Sequence, residues 1–359
     1  MTKRVLQTIV LVALVGTIGL VGIGGAQQAP AGQLLKTIPV QGNIYMIPGA
    51  GANVAVSLGR DGVLLVDSGN EQSADRLLAT VKDLGNDVVA RPRPYVPCVG
   101  PTCGGYAFGF NSPMFNAITQ VPQPVKPIRY ILNTSAHPEH TGGNVKISLA
   151  GVTYTGGNVT GNITDSGVGS AILAHQNVLN RLTSAGAPED SYPTDSFATP
   201  YYKLSWFFNG EGVQLFHTPA AHSDADSFVY FRYSDVIVTG ELYNTVTYPI
   251  IDVAKGGTVQ GILDGLSQVL DIGYAEFRTQ GGTIIIPARG RISDVGDVTN
   301  YRNMIYIIRD RIKDLKQKGR TLEQVKATRP TQDYDGRFGA TSGPWTTDMF
   351  IDAVYRTIQ

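Results

Sequence analysis

From Ile38 onward the spacing of apolar positions predicts strands first and helices later. Asn43-Ile44-Tyr45-Met46-Ile47, Ala52-Asn53-Val54-Ala55-Val56-Ser57-Leu58 and Gly62-Val63-Leu64-Leu65-Val66-Asp67 are short apolar runs separated by glycine, the pattern of an N-terminal β meander. From Gln72 to Leu84 the period changes, and Leu77, Leu78, Val81 and Leu84 fall on one helical face. Gly85 to Pro127 keeps neither period. Rich in Gly and Pro and carrying Tyr106, Phe108, Phe110 and Phe115, it reads as an inserted loop, with a lid over a pocket and an ordinary packed surface loop both open.

Ile128-Arg129-Tyr130-Ile131-Leu132-Asn133 resumes as a buried strand, and Gly142-Gly143-Asn144 opens the next helical or turn element. Val168 to Thr183 reads as a helix carrying His175, followed by strands over Gly212 to Phe216, Ser227 to Arg232, Asp235 to Thr239 and Thr283 to Pro287. Asn300 to Lys318 has a helical period with charges on its outer face, and Thr346 to Ile358 predicts a shorter amphipathic helix. No repeat occurs at solenoid periods. The order is that of an α/β protein. The 359 residues allow two average domains, but one large domain over 33–298, with 85–127 inserted and a helical extension over 299–359, accounts for the pattern.

The first 26 residues stand apart. Met1-Thr2-Lys3-Arg4, an uncharged apolar run from Val5 to Ile23 and Gly24-Gly25-Ala26 form the basic, hydrophobic and small-residue parts of a secretory leader, with cleavage expected after Ala26 and a periplasmic or secreted location. Retained, the run is near the lower length limit for a membrane anchor. No Cys lies near it, which argues against a lipid anchor. The chain has 29 basic and 29 acidic residues, and losing Lys3 and Arg4 leaves 27 against 29, a net charge of minus two. That balance excludes nucleic acid and an anionic membrane surface as partners and leaves a small-molecule substrate. Cys98 and Cys103, in a Gly/Pro-rich loop, suit a small disulfide ring outside the cytoplasm better than a zinc pair, because no second Cys/His pair accompanies them.

Candidate chemistry concentrates after the strand that ends at Asn133. Thr134-Ser135-Ala136-His137-Pro138-Glu139-His140-Thr141-Gly142-Gly143 holds two of the five His of the chain with a carboxylate between them, donors that suit a borderline divalent ion such as zinc. Two further loops, each leaving an apolar strand, carry His222 and Glu241, so neighbouring strands would bring all of them to one rim. His175 reads as a structural or surface histidine, and His217 as one buried against a backbone partner. Asp67 reads as a turn cap or a carboxylate that orients a histidine, and Asp224 and Asp226 as caps of the turn after His222.

These strings, in this order, resemble the metallo-β-lactamase fold superfamily across nearly the whole chain after the leader. The matching stretches are Val66-Asp67-Ser68-Gly69, Thr134 to Gly143, Pro219-Ala220-Ala221-His222, Gly240-Glu241 and Pro287-Ala288-Arg289-Gly290. The resemblance implies a four-layer αβ/βα sandwich with a C-terminal helical extension, and a zinc-dependent hydrolase. It also exposes departures. Ser135 stands where the family has its first ligand His, Glu139 and Glu241 where it has Asp, and Arg289 where it has its last His. Carried over by position, one metal would see Ser135, His137 and His222, and the other Glu139, His140 and Arg289, with Glu241 between them.

Arginine has no lone pair to give, so Arg289 pairs with a carboxylate or an anion instead. The surviving donors, His137, Glu139, His140, His222 and Glu241, suffice for one zinc with an open water position, with a second ion doubtful. Its water, lowered in pKa toward about 7, would attack an amide, ester or lactone, β-lactams among them. Glu139 would then pass the proton and Arg289 hold the oxyanion or a substrate carboxylate. Ser135 and Arg289 equally suit a metal-poor binding protein on the same fold. An iron oxidoreductase is permitted by the donor types but indicated by nothing.

Overall fold

The computed structural model describes residues 33–59, 61–90, 127–153, 169–274 and 282–358. The leader over 1–26, Cys98 and Cys103, and the aromatic part of the inserted loop lie outside them. Strands β1 (Ile38–Gln41), β2 (Ile44–Ala50), β3 (Ala52–Gly59), β4 (Gly62–Val66), β5 (Ile128–Asn133), β6 (Ala171–His175) and β7 (Asp195–Phe197) form one sheet in chain order. It is antiparallel up to β4 and parallel from β4 onward. Strands β8 (Tyr201–Phe208), β9 (Glu211–His217), β10 (Ser227–Phe231), β11 (Val236–Val238), β12 (Ile284–Ile286) and β13 (Ser293–Asp294) form a second, ordered β13-β12-β11-β10-β9-β8. The helices are α1 (Ala74–Ala90), α2 (Pro138–Thr141), α3 (Asn144–Leu149), α4 (Gln176–Ser184), α5 (Val259–Ile272), α6 (Val295–Gln317), α7 (Leu322–Ala327), α8 (Asp335–Phe338) and α9 (Thr347–Thr357).

Period-2 alternation builds the layers. Ile44, Met46, Leu64, Val66 and Leu132 of the first sheet meet Leu215, Val229, Val238 and Ile286 of the second in the central core. Their neighbours Val54, Val56, Val63 and Leu65 face the other way and pack under Leu77, Val81 and Leu84 of α1. On the far side, Phe228, Ile237 and Ile285 are covered by Ile262 and Leu266 of α5, Ile305 and Ile308 of α6, and Phe350 and Val354 of α9. Each such buried side chain contributes roughly 1.5–3 kcal/mol over its exposed state. The result is the four-layer arrangement with C-terminal helices. Among the described residues no helix is long and apolar enough to cross a membrane.

Two expectations change. The first helix runs to Ala90, so the insertion begins after it rather than at Gly85. The helix expected over Val168 to Thr183 is strand β6 followed by α4, because Ala171-Ile172-Leu173-Ala174 is a continuous buried run between β5 and β7. Periodicity cannot separate such a strand from a buried helix. The expected C-terminal helical extension is present and packs on the second sheet. Tyr248 Oη lies 2.9 Å from Asp335 Oδ1 and Tyr301 donates to the Thr247 carbonyl at 3.1 Å, tying the extension to the loop beyond Glu241.

Candidate functional site

Five strand ends deliver the polar side chains to one edge. Asp67 follows β4, the His137/His140 segment follows β5, His222 lies between β9 and β10, Glu241 follows β11 and Arg289 follows β12. The β5 loop is braced by an amide cluster: Ser68 Oγ and Asn133 Nδ2 donate to Asn144 Oδ1 at 2.7 and 3.1 Å, and Asn133 Nδ2 also reaches the His140 carbonyl. His137 caps α2 in extended backbone and Pro138 opens the helix with its fixed φ. That single turn aims Glu139 toward the surface and buries His140. Gly143 is required there, since a Cβ would collide with the Ser68 carbonyl.

A four-membered ionic chain runs through the buried half of the site. Asp67, held with φ at 66°, accepts from the Thr134 amide at 2.8 Å and hydroxyl at 2.7 Å, and its Oδ2 lies 2.7 Å from His140 Nδ1. His140 Nε2 lies 2.9 Å from Glu241 Oε1, and Arg289 Nη1 donates to Glu241 Oε2 at 2.8 Å. Burial works against a charge on His140. Asp67 and Glu241 outweigh it and raise the imidazole to about 10, so it is protonated and donates from both nitrogens. Burial likewise opposes charge on Glu241, but the His140 hydrogen bond and the Arg289 charge hold it well below the usual carboxylate range.

Beside this chain stands an imidazole pair. His137 Nε2 and His222 Nε2 are 2.9 Å apart. His222 Nδ1 donates to the Ile250 carbonyl at 2.8 Å, which turns its Nε2 toward His137. Burial, then the charges of His222 and Lys255, lower His137 to about 3 and keep it neutral. Asp252 Oδ2 is 3.6 Å from His137 Nε2 and 3.0 Å from Lys255 Nζ, and the Asp252 amide donates to the His222 carbonyl. Sequence reasoning missed Asp252. It belongs to no motif, and its only local signal is the side-chain cap it offers to the Lys255 amide.

The donor set fits one cation and not two. Both ring nitrogens of His140 lie on carboxylates and Arg289 has no lone pair to give, so their half does not fit a metal as it stands. The His137/His222 half does fit: two ring nitrogens converge, and Ser135 Oγ, two positions before His137 in sequence, is buried without a hydrogen-bond partner among the described residues. It remains sparse. Among the described residues no three His, Cys, Asp or Glu side chains form a group for a metal ion. Of the five donors expected from the sequence, the structure therefore sets His137 and His222 face to face, commits His140 and Glu241 to ion pairs, and leaves Glu139 partly exposed near enough to Arg289 to raise its pKa.

The remaining histidines lie apart from this cluster. His175 and His217 stack with centroids 3.6 Å apart and planes 4° from parallel, and His217 Nδ1 donates to the Asp226 carbonyl. His175 also caps α4, a role hidden when it was read as a residue inside a helix. Asp224 pairs with Arg181 at 2.8 Å and Asp226 accepts from the Ser223 hydroxyl, so both brace the His222 loop. Burial lowers both stacked imidazoles, His175 from 6.5 to about 4. The unfolded chain therefore takes up their protons first, so stability present above pH 6.5 is lost as pH falls toward 4. Denaturation midpoints measured across that window should fall with acid, and His175→Asn, which keeps a cap but does not titrate, should make the fall shallower. An unchanged slope would contradict this.

Comparison with known proteins adds the following. The profile of the metallo-beta-lactamase superfamily matches residues 39–270. No curated protein matches the chain. Among solved structures, the sec-alkylsulfatase Pisa1 from Pseudomonas sp. is similar at 15% identity and TM-score 0.57, over 90% of this chain and 50% of that one, so the chain spans half its length. A metallo-beta-lactamase from Pontibacter korlensis is similar at 12% identity and TM-score 0.48, over 76% of this chain and 99% of the other. The DIM-1 metallo-beta-lactamase gives 12%, 0.48, 76% and 98%.

Proposed function

Because the chain belongs to the metallo-beta-lactamase superfamily, a family of metal-dependent hydrolases, we propose that it is an exported hydrolase of a small amide, ester or lactone, with one zinc half-site at His137 and His222. The observation that carries this reading is the convergence of the two Nε2 atoms at 2.9 Å, with the His222 Nδ1–H donated to the Ile250 carbonyl. A zinc ion held by those nitrogens would supply a Lewis acid and a water of lowered pKa.

The chain's own groups do the rest. His137 is neutral, so its nitrogen needs no deprotonation before it binds a cation. Glu139, partly exposed on α2, accepts the proton of the attacking water and returns it to the leaving group. Arg289 uses one nitrogen for Glu241 and turns its remaining N–H donors to the substrate, where they suit the developing oxyanion or a carboxylate. The buried ionic chain behind it fixes that guanidinium in place.

The ion pair on Arg289 also favours a second reading, a binding protein that keeps the fold and has lost turnover. A panel of β-lactam, carboxylic ester, lactone and secondary alkyl sulfate, assayed with zinc and after chelation, separates the two. Turnover of one member, abolished by chelator and restored by zinc, is the expected result. Saturable binding of a panel member with no turnover supports the second reading and ends the first. Export is read separately: the mature protein should begin at Gln27 and lie outside the cytoplasm, and an intact Met1 on cytoplasmic protein would contradict it.

A further inference from the structure

The two cation positions that the family's pattern implies are not equivalent in this chain. At the first, two imidazole nitrogens face each other at 2.9 Å, and Ser135 Oγ, two residues before His137 in sequence, is buried with no hydrogen-bond partner among the described residues. At the second, the two buried donors are already engaged, and only Glu139, partly exposed, is not. Glu241 gives one oxygen to His140 and the other to Arg289, while His140 gives its second nitrogen to Asp67. Asp67, His140 and Glu241 are all at most 3% exposed, and Arg289 closes the series from the surface side at 26%.

Charge makes the same point. Along this series two carboxylates alternate with an imidazole and a guanidinium. A buried carboxylate such as Glu241 needs a counter-charge, which a divalent ion or a guanidinium can supply. Here the guanidinium already supplies it, at 2.8 Å from one Glu241 oxygen. A metal arriving at Glu241 would meet the Arg289 guanidinium at 2.8 Å on one oxygen and the His140 ring at 2.9 Å on the other.

We infer that the Arg289 guanidinium is the permanent second cation of this site, taking the place of a second metal ion on Glu241 and confining metal binding to the His137/His222 half. The inference rests on the one-ion reading above, but it concerns the count of ions and not the reaction. It also assigns Arg289 a specific consequence. Removing the guanidinium should create a demand for another cation, and supplying an imidazole in its place should satisfy that demand with a metal ligand.

Zinc content after equilibration with excess zinc and removal of the unbound ion tests this on the full chain, by elemental analysis of the wild type, Arg289→His and Arg289→Lys. The wild type should hold about one ion, Arg289→Lys the same because the charge is kept, and Arg289→His about one more. Two ions in the wild type, or no gain in a folded Arg289→His, would overturn the inference. Should Arg289→His fail to fold, the wild-type count still decides, since a second ion there is incompatible with a resident guanidinium. Failure of the hydrolase reading looks different: a wild type that holds one ion and turns over nothing leaves the inference standing.

Discussion

Glu241→Gln should destabilise the fold by about 3 kcal/mol, the lower end of the range for breaking a buried ion pair, because Arg289 is partly exposed and its charge partly screened. The loss is expected because the substitution leaves a protonated imidazole with only Asp67 and strands a guanidinium that was placed to meet a carboxylate. Combining it with Arg289→Met, which removes the orphaned charge, should recover part of the loss, and a double-mutant cycle in urea measures the coupling. The pH dependence has a defined sign. His140 is raised from 6.5 to about 10 by folding, so its contribution is complete below pH 6.5 and is lost as pH rises through about 10. Additive effects of the two substitutions, or a Glu241→Gln protein as stable as wild type, would show that the four groups do not act as one chain.

His222→Ala should have the largest effect on activity. It removes one of two converging nitrogens and the backbone-anchored one, so both bound zinc and kcat/KM should fall, the latter by at least about 100-fold, more than loss of a supporting group costs. His137→Ala should do the same. Asp252→Asn is the useful contrast: it touches His137 only at 3.6 Å and leaves the Asp252 amide on the His222 carbonyl, so a loss of about 10-fold is expected. Wild-type turnover in a folded His222→Ala protein would place the chemistry elsewhere.

Much of this site is legible from residue order alone, because strand ends are where loops of an α/β sheet present side chains and each of Asp67, His137, His140, His222, Glu241 and Arg289 follows an apolar run. The lack of a lone pair on arginine limits Arg289 to a carboxylate or an anion, and the structure gives it a carboxylate. What residue order does not carry is which carboxylate. Glu241 and Arg289 are 48 positions apart and meet only because β11 and β12 run parallel. Nor does it show that His140 is enclosed from both sides, since that follows from Asp67 reaching across from β4.

The fold shows the same division. Alternating runs such as Asn53 to Leu58 declare their strand and its two faces. Helix α5 does not declare itself, because Gly261 and Gly265 lower its helix propensity. The structure explains them: a Cβ on Gly261 would collide with the Ala220 carbonyl in the His222 loop, and one on Gly265 would press on Leu242 next to Glu241. Those glycines are set by close approach to the site, a tertiary demand no local pattern records. Strand β8 was missed for a related reason, since its register against β9 is interrupted twice and its alternation is broken with it.

Anomalous scattering from a zinc-soaked crystal at the zinc absorption edge addresses the central claim most directly. The account predicts a single peak between His137 Nε2 and His222 Nε2, with the Arg289 guanidinium still on Glu241. A peak on Glu241 and His140 with Arg289 turned away, or no peak at the paired imidazoles, would contradict it.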